Sequence, residues 1–270
     1  MLYTLPESAY DKVRKMFNDK KFNIRVMSVI ERNTKGRIWV DNIKNPSSAL
    51  VWSYFDIFSL GGNEKNEQFN YALEQFILEN IVPEAQSIGL HYFAVQLHPV
   101  DTWEKIIREI FARPLEINYE YCFAFNYGLY QKFSRVNTPS HGVLVQVDAD
   151  FLEKGVTNPL RTEITETWDS LDAFMQKGVG VCLVLHDEIV CRCISRHVAG
   201  NHHNMSIFTA KEHRKRGFAT LTAQTFIDIC LSRGLIPVWM ADEDNTASIR
   251  IAEKLGFEKT GKYPDYYFIF

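Results

Sequence analysis

An α+β fold built on mixed sheets is what this sequence predicts, and three observations predict it. Strand-like alternation and helix-like periodicity are interleaved along the whole chain rather than segregated. The two halves of the 270 residues repeat one order of elements: a helix, several antiparallel-type strands, a long helix, a strand, a shorter helix and a last strand. The composition, 46% hydrophobic and 23% charged, is that of a packed globular protein with chain enough for one large or two ordinary domains.

The elements follow in order. Residues 5–19 predict a short amphipathic helix. "NIRVMSVIE", "GRIWVDN" and "ALVWSYFDIFSL" read as strands separated by the turn-rich "RNTKG" and "IKNPSS". Phe69, Leu73, Phe76, Ile77 and Ile81 recur at spacings of three and four, which predicts a helix from Asn66 to Ser87. A strand "HYFAVQL", a helix "TWEKIIREIF" and a strand "INYEYCFAF" close the first half. Residues 127–142 lack clean periodicity and read as a linker between an N-terminal α+β domain, 1–126, and a second domain, 143–270. There "VLVQVD" reads as a strand, helical segments cover 149–154 and 162–177, and "GVGVCLVLH" and "EIVCRCISRHV" form a hairpin. A strand ending at Phe208 leads to a helix at 217–232 stopped by Gly234, a residue suited to the left-handed conformation after a helix. The strand "IPVWMA", a helix at 245–255 and the strand "YYFIF" finish the pattern.

A formal charge of -3 argues against general nucleic-acid binding. No apolar run approaches the roughly 18 residues of a spanning helix, and the first residues lack a signal-peptide core, so a cytoplasmic protein without membrane contact is expected. Five cysteines, Cys122, Cys182, Cys191, Cys193 and Cys230, sit in apolar runs without CxxC spacing and read as buried free thiols. No histidine spacing suggests a metal site.

The chemistry concentrates in "TAKEHRKRGFATLTAQTF". Arg214, Lys215, Arg216 and Gly217 occupy a strand-to-helix turn, where uncapped amides and the helix dipole favour an anion. A solvated basic turn would have the same composition. However, Arg214-x-x-Gly217-x-Ala219, followed by "DNTASIRIAEKLGFE", resembles two separated signatures of the GNAT superfamily of N-acetyltransferases, in the same order and with a strand between them. "GLIPVWMADEDNTASIRIAEKLGF" is most similar to the zwittermicin A resistance-type branch. The resemblance implies a GNAT fold over 143–270, with 1–126 as a degenerate GNAT-like repeat.

It further implies acetyl-CoA as cosubstrate, a small primary amine as acceptor, direct attack in a ternary complex and no metal. Phe208 and Thr209 would offer backbone groups to the pantetheine arm. Arg214, Lys215, Arg216, Gly217, Phe218, Ala219 and Thr220 would wrap the pyrophosphate, and Asn245 and Ser248 would lie along the pantetheine, although "DNTAS" also suits Asn245 as a helix cap. The family's strand glutamate is replaced by Asn204, leaving His203 or His202 as the candidate base. The family's tyrosine acid is replaced by Ala252, leaving Tyr263, Tyr266 or Tyr267. Asp242, Glu243 and Asp244 would favour a cationic acceptor, or form a solvated loop. The first half has Gly61 and Gly62 but no basic residue before them, so it is expected to buttress rather than bind CoA, with Trp39, Trp52 and Tyr54 as pocket or core residues. The missing acid and base keep a non-catalytic acyl-CoA-binding protein open as an alternative, and a protein- or tRNA-acetyltransferase is another. "GVGVCLVLH" and "YYFIF" would serve as pairing edges in a homodimer.

Overall fold

The chain begins with β1 (Tyr3–Thr4), a 3₁₀ helix (Glu7–Phe17) and α1 (Ile24–Ile30). The structure is a computed structural model and describes residues 1–18, 23–54 and 56–270. After α1 come β2 (Gly36–Val40), β3 (Ser48–Ser53), β4 (Phe58–Gly62) and α2 (Glu67–Phe76), which runs through a π-helical turn (Ile77–Ile81) into α3 (Val82–Ser87). Next are β5 (Tyr92–His98), α4 (Val100–Ile110), β6 (Glu116–Phe125), α5 (Tyr127–Gln131), β7 (Gly142–Gln146), α6 (Ala149–Leu152), α7 (Asn158–Thr167) and α8 (Leu171–Lys177). The chain ends with β8 (Gly180–Leu185), β9 (Glu188–Ala199), β10 (His202–Thr209), α9 (Phe218–Ser232), β11 (Ile236–Asp242), α10 (Thr246–Lys254) and β12 (Phe257–Ile269).

Two units divide this chain: Met1–Tyr119 with Tyr263–Phe270, and Glu120–Lys262. In the first unit β1 to β4 pair antiparallel in sequence order. β4 then pairs parallel with β5, over Phe58–Gly61 and Val95–His98. Residues 265–269 of β12 pair antiparallel with the far edge of β5. The core is aromatic: Trp39, Trp52, Phe58, Phe93, Trp103 and Phe268 are buried together, with ring centroids of Phe58 and Phe93 4.7 Å apart.

In the second unit β7, β8, β9 and β10 pair antiparallel, β10 pairs parallel with β11, and β11 pairs antiparallel with residues 120–123 of β6. Helix α9 covers one face of this sheet, where Ala223, Phe226 and Ile227 pack with Met205, Trp239 and Ala241. Helices α7 and α8 cover the other face over β8 and β9, through Leu160, Ile164 and Phe174 against Cys182, Ile194 and Val198. Each unit therefore has one parallel pair with a helix between its strands, α2 in the first and α9 in the second. Each also takes its last strand from the other half of the sequence.

Several expectations change. "NIRVMSVIE" forms α1 rather than a strand: Asn23 Oδ1 accepts from the Val26 amide at 3.2 Å, and Ile24 to Ile30 are buried all round. A run buried on every side has no periodicity to separate helix from strand. "ALVWSYFDIFSL" is two strands, with Trp52 opposite Phe58 across an antiparallel ladder. The segment 127–142 contains α5 and is tied to α9. Tyr130 donates to Asp228 (2.7 Å), Arg135 donates to the Tyr130 hydroxyl (2.7 Å), and the Val136 amide donates to Gln224 Oε1 (2.9 Å). Strand β8 lies between β7 and β9 rather than at a sheet edge. No helix among the described residues is long and apolar enough to cross a membrane.

Candidate active site

The site grows from how β10 and β11 part. Their parallel ladder covers His202–Asn204 and Ile236–Val238. Beyond it, Met205 to Thr209 pair with β9, and Trp239 to Asp242 pair with β6. The facing edges of the two strands then carry backbone N–H and C=O groups without a ladder between them, which is the bonding pattern an extended polar ligand can complete. Asn204 marks the apex. It stands where β9 inserts Arg196 and His197 between Ser195, opposite Met205, and Val198, opposite His203. In the first unit the equivalent ladder, Phe58–Gly61 with Val95–His98, covers four residue pairs without such a break.

At the open end of the cleft lies the basic turn. Thr209 leads into a 3₁₀ turn (Lys211–His213), Arg214 is extended, and Lys215 and Gly217 have φ of 62° and 80°. Helix α9 starts at Phe218 with no side-chain cap, and its first intrahelical bond is from Leu221 N to Gly217 O (3.0 Å). The amides of Phe218, Ala219 and Thr220 therefore face outward, with the positive end of a 15-residue helix behind them. A Cβ built on Gly217 would meet nothing within 4 Å, so the space before these amides is open. Arg214 Nε donates to Thr209 O (3.2 Å), folding that side chain back onto the strand end, while Lys215 and Arg216 are exposed and carry no ion pair among the described residues. Phe218 is buried beside Leu221 and Cys191 and stacks on His213, which pins the helix start to the sheet.

The matching helix of the first unit is closed. Asn66 Oδ1 accepts from the Phe69 amide (3.2 Å), and the same side chain donates to Asp41 (3.0 Å). Gly62, at φ 95°, precedes it, but a Cβ there would lie 2.2 Å from Ser47 O. Where the second unit has Arg214-Lys215-Arg216, this segment has a single cation, Lys65, flanked by Glu64 and Glu67.

The second signature forms the entrance to α10. Asn245 is its N-cap, its Oδ1 accepting from the Ser248 amide (3.1 Å), and Ser248 Oγ accepts from Trp239 Nε1 (2.9 Å). Both side chains thus brace β11 where it leaves the parallel ladder. His203 is buried, with its Nδ1 3.0 Å from Ser195 Oγ, and burial lowers its pKa to about 4, aided by the nearby Arg233 charge. A neutral imidazole packed within the ladder has little basicity to offer at neutral pH. Tyr263, Tyr266 and Tyr267 belong to the first unit, where the Tyr266 hydroxyl donates to Glu104 (2.7 Å) and that of Tyr267 to Glu116 (2.7 Å). Glu243 is paired with Lys262 (2.6 Å). All five cysteines are free thiols; burial pushes Cys182 and Cys230 up to about 12 and raises Cys191 and Cys193 as well. None is primed as a nucleophile. Trp39 and Trp52 lie in the first unit's core rather than lining a pocket.

This arrangement, two parallel strands parting toward an uncapped basic helix start, is matched by similarity over the whole chain. The family model for GNAT acetyltransferases matches residues 14–266. The chain belongs to the GNAT acetyltransferase family. It is 26% identical over 268 residues to the uncharacterized N-acetyltransferase YdfB of Bacillus subtilis (strain 168), spanning 99% of this chain and 98% of that one. A GCN5-related N-acetyltransferase-like protein from Streptococcus suis 89/1591 has the same fold, with a TM-score of 0.71 at 22% identity over 96% of this chain and 98% of the other. A tandem GNAT protein from the clavulanic acid biosynthesis pathway superposes with a TM-score of 0.58 at 11% identity, over all of this chain and 98% of its own. The GNAT chain described here is accordingly an acyltransferase of the acetyltransferase type, and its family uses acetyl-CoA as cosubstrate.

No sequence motif marks the side of β11 that faces away from α9. Val238 and Met240 alternate with Trp239 and Ala241, so in "IPVWMAD" the core-facing positions already assign the other set.

Proposed function

We propose that the second unit binds acetyl-CoA between β10 and β11 and transfers its acetyl group to a primary amine of a small molecule, by direct attack in a ternary complex. The observation that carries this reading is the parting of β10 from β11 beyond Asn204, aimed at the uncapped start of α9. In this reading the amides from Gly217 to Thr220, with Lys215 and Arg216, hold the pyrophosphate, and Arg214 stiffens the turn through Thr209. The backbone of Phe208 and Thr209 bonds the pantetheine arm in place of the missing strand neighbour. Asn245 and Ser248 act one step removed, by fixing Trp239 and with it the β11 wall. The similarity of residues 234–257 to zwittermicin A resistance-type proteins favours a small-molecule acceptor.

The reaction asks little covalent chemistry of the protein. The neutral amine nitrogen attacks the thioester carbonyl, the tetrahedral intermediate expels the CoA thiolate, and the amine proton passes to water. Asn204, at the apex, has the polarity to order that water but cannot itself keep a proton. His203 is assigned a structural role, because burial keeps its imidazole neutral and its Nδ1 is engaged by Ser195. No acid is assigned, since a thiolate leaves without one.

The test is thiol release from acetyl-CoA over a panel of primary amines. The expected outcome is amine-dependent release with intersecting double-reciprocal plots. Parallel plots would indicate an acetyl-enzyme intermediate and contradict direct transfer; release equal with and without amine would contradict acetyl transfer to amines altogether.

A further inference from the structure

We infer that the acceptor amine enters on the sheet face opposite α9 and that Phe208 is its specificity-determining platform, selecting a primary amine with a flat apolar body. This inference rests on the acyl-CoA reading above. Alternation along β10 decides the face. Met205 packs with Ala223 and Phe226 of α9, and Thr209 meets Cys191, which in turn contacts Thr222 of α9 (both 3.1 Å). Ser206 and Phe208 therefore project to the other side. On β11, Trp239 and Ala241 fill the α9 side, so Val238 and Met240 project with Phe208. A thioester lying between the parted strands is closed off by side chains on the α9 face and can be attacked only from the face of Phe208, Val238 and Met240.

On that face the Phe208 ring is 44% exposed, although the strand carrying it is otherwise largely buried or half-buried. It is also held in position. Arg192, its cross-strand neighbour, places its guanidinium 4.3 Å from the ring centroid, and Arg192 is itself ion-paired with Glu163 of α7. With its charge answered by Glu163, Arg192 serves as a prop for the ring rather than as an anion site. An exposed, propped ring on one parted strand faces the same side as an aliphatic and a thioether side chain on the other. Such a surface stacks an aromatic body and makes sulfur–aromatic contact with it, which an amine without a ring does not gain; the Ser206 hydroxyl and Asp242, on the same face by the same alternation, are left to the ammonium end.

The experiment compares 2-phenylethylamine, ethanolamine and spermidine as acceptors for wild type, Phe208→Ala and Phe208→Tyr, with acetyl-CoA affinity and thermal unfolding measured on each protein. Wild type is expected to prefer 2-phenylethylamine by kcat/KM. In Phe208→Ala the ratio of kcat/KM for 2-phenylethylamine over ethanolamine should fall about tenfold, mainly through KM, and Phe208→Tyr should restore it. A wild type that prefers ethanolamine or spermidine overturns the inference, as does a Phe208→Ala protein that loses all three amines in equal proportion while still binding acetyl-CoA. Failure of the wild type to bind acetyl-CoA would instead overturn the acyl-CoA reading, and this inference with it.

Discussion

His203 offers a prediction whose size follows from its surroundings. The imidazole is buried, bonded through Nδ1 to Ser195 Oγ, and held to a pKa of about 4 against an ordinary 6.5, first by burial and then by Arg233. Its folded pKa is therefore depressed, so the unfolded chain takes up the proton first. Stability is intact above about pH 6.5 and is lost as the pH falls from there toward 4. At roughly 1.4 kcal/mol per tenfold, the full loss is about 3 kcal/mol, and about 2 kcal/mol of it has accrued by pH 5. Replacing His203 with Gln keeps a hydrogen-bonding partner for Ser195 and removes the titration. Urea unfolding of both proteins between pH 7.5 and 4.5 isolates the effect, because the other histidines are common to both. Wild type should lose about 2 kcal/mol more than His203→Gln between pH 7.5 and 5. Equal pH slopes would refute the burial argument. A pH–rate limb present in wild type and absent from His203→Gln would return the imidazole to catalysis.

Other predictions concern the turn, the caps and the exchanged strands. Gly217→Ala and Gly200→Ala both place a Cβ at positive φ in open space, so each should cost about 1 kcal/mol of stability; only Gly217→Ala should weaken acetyl-CoA binding by calorimetry, and equal affinities would argue against the cradle. Ser248→Ala strips the buried Trp239 indole of its acceptor and should destabilise by about 1–3 kcal/mol in urea unfolding. Asn245→Ala should cost about 1 kcal/mol as a lost cap; a neutral result in both would deny the bracing of β11. Fragments 1–126 and 143–270, made separately, should each lack a cooperative unfolding transition, because residues 120–123 and 265–269 complete the opposite units. A cooperative 143–270 fragment would contradict the exchange.

Much of the site was legible because its signals are local. Arg214, Gly217 and the helix ending at Gly234 are fixed by backbone chemistry within a few residues, and α9 and its stop lie where that chemistry puts them. The repeated order of elements was legible for the same reason, each element carrying its own period. The ownership of the last strands was not, since "INYEYCFAF" and "YYFIF" read as strands whichever sheet they join, and only long-range pairing decides. Burial escaped as well: nothing beside His203 in the sequence tells a strand histidine in a core from one in a cleft. The run Ile24–Ile30 shows the same limit, because uniform burial erases the pattern that separates helix from strand.

Acetyl-CoA binding by calorimetry, wild type against Gly217→Asp, tests the central claim most directly. Nothing lies within 4 Å of a Cβ at that position, so the variant should fold and place its carboxylate before the outward-facing amides of α9. The account predicts saturable binding by wild type and its loss in Gly217→Asp. Binding that survives the substitution, or none by the wild type, would contradict it.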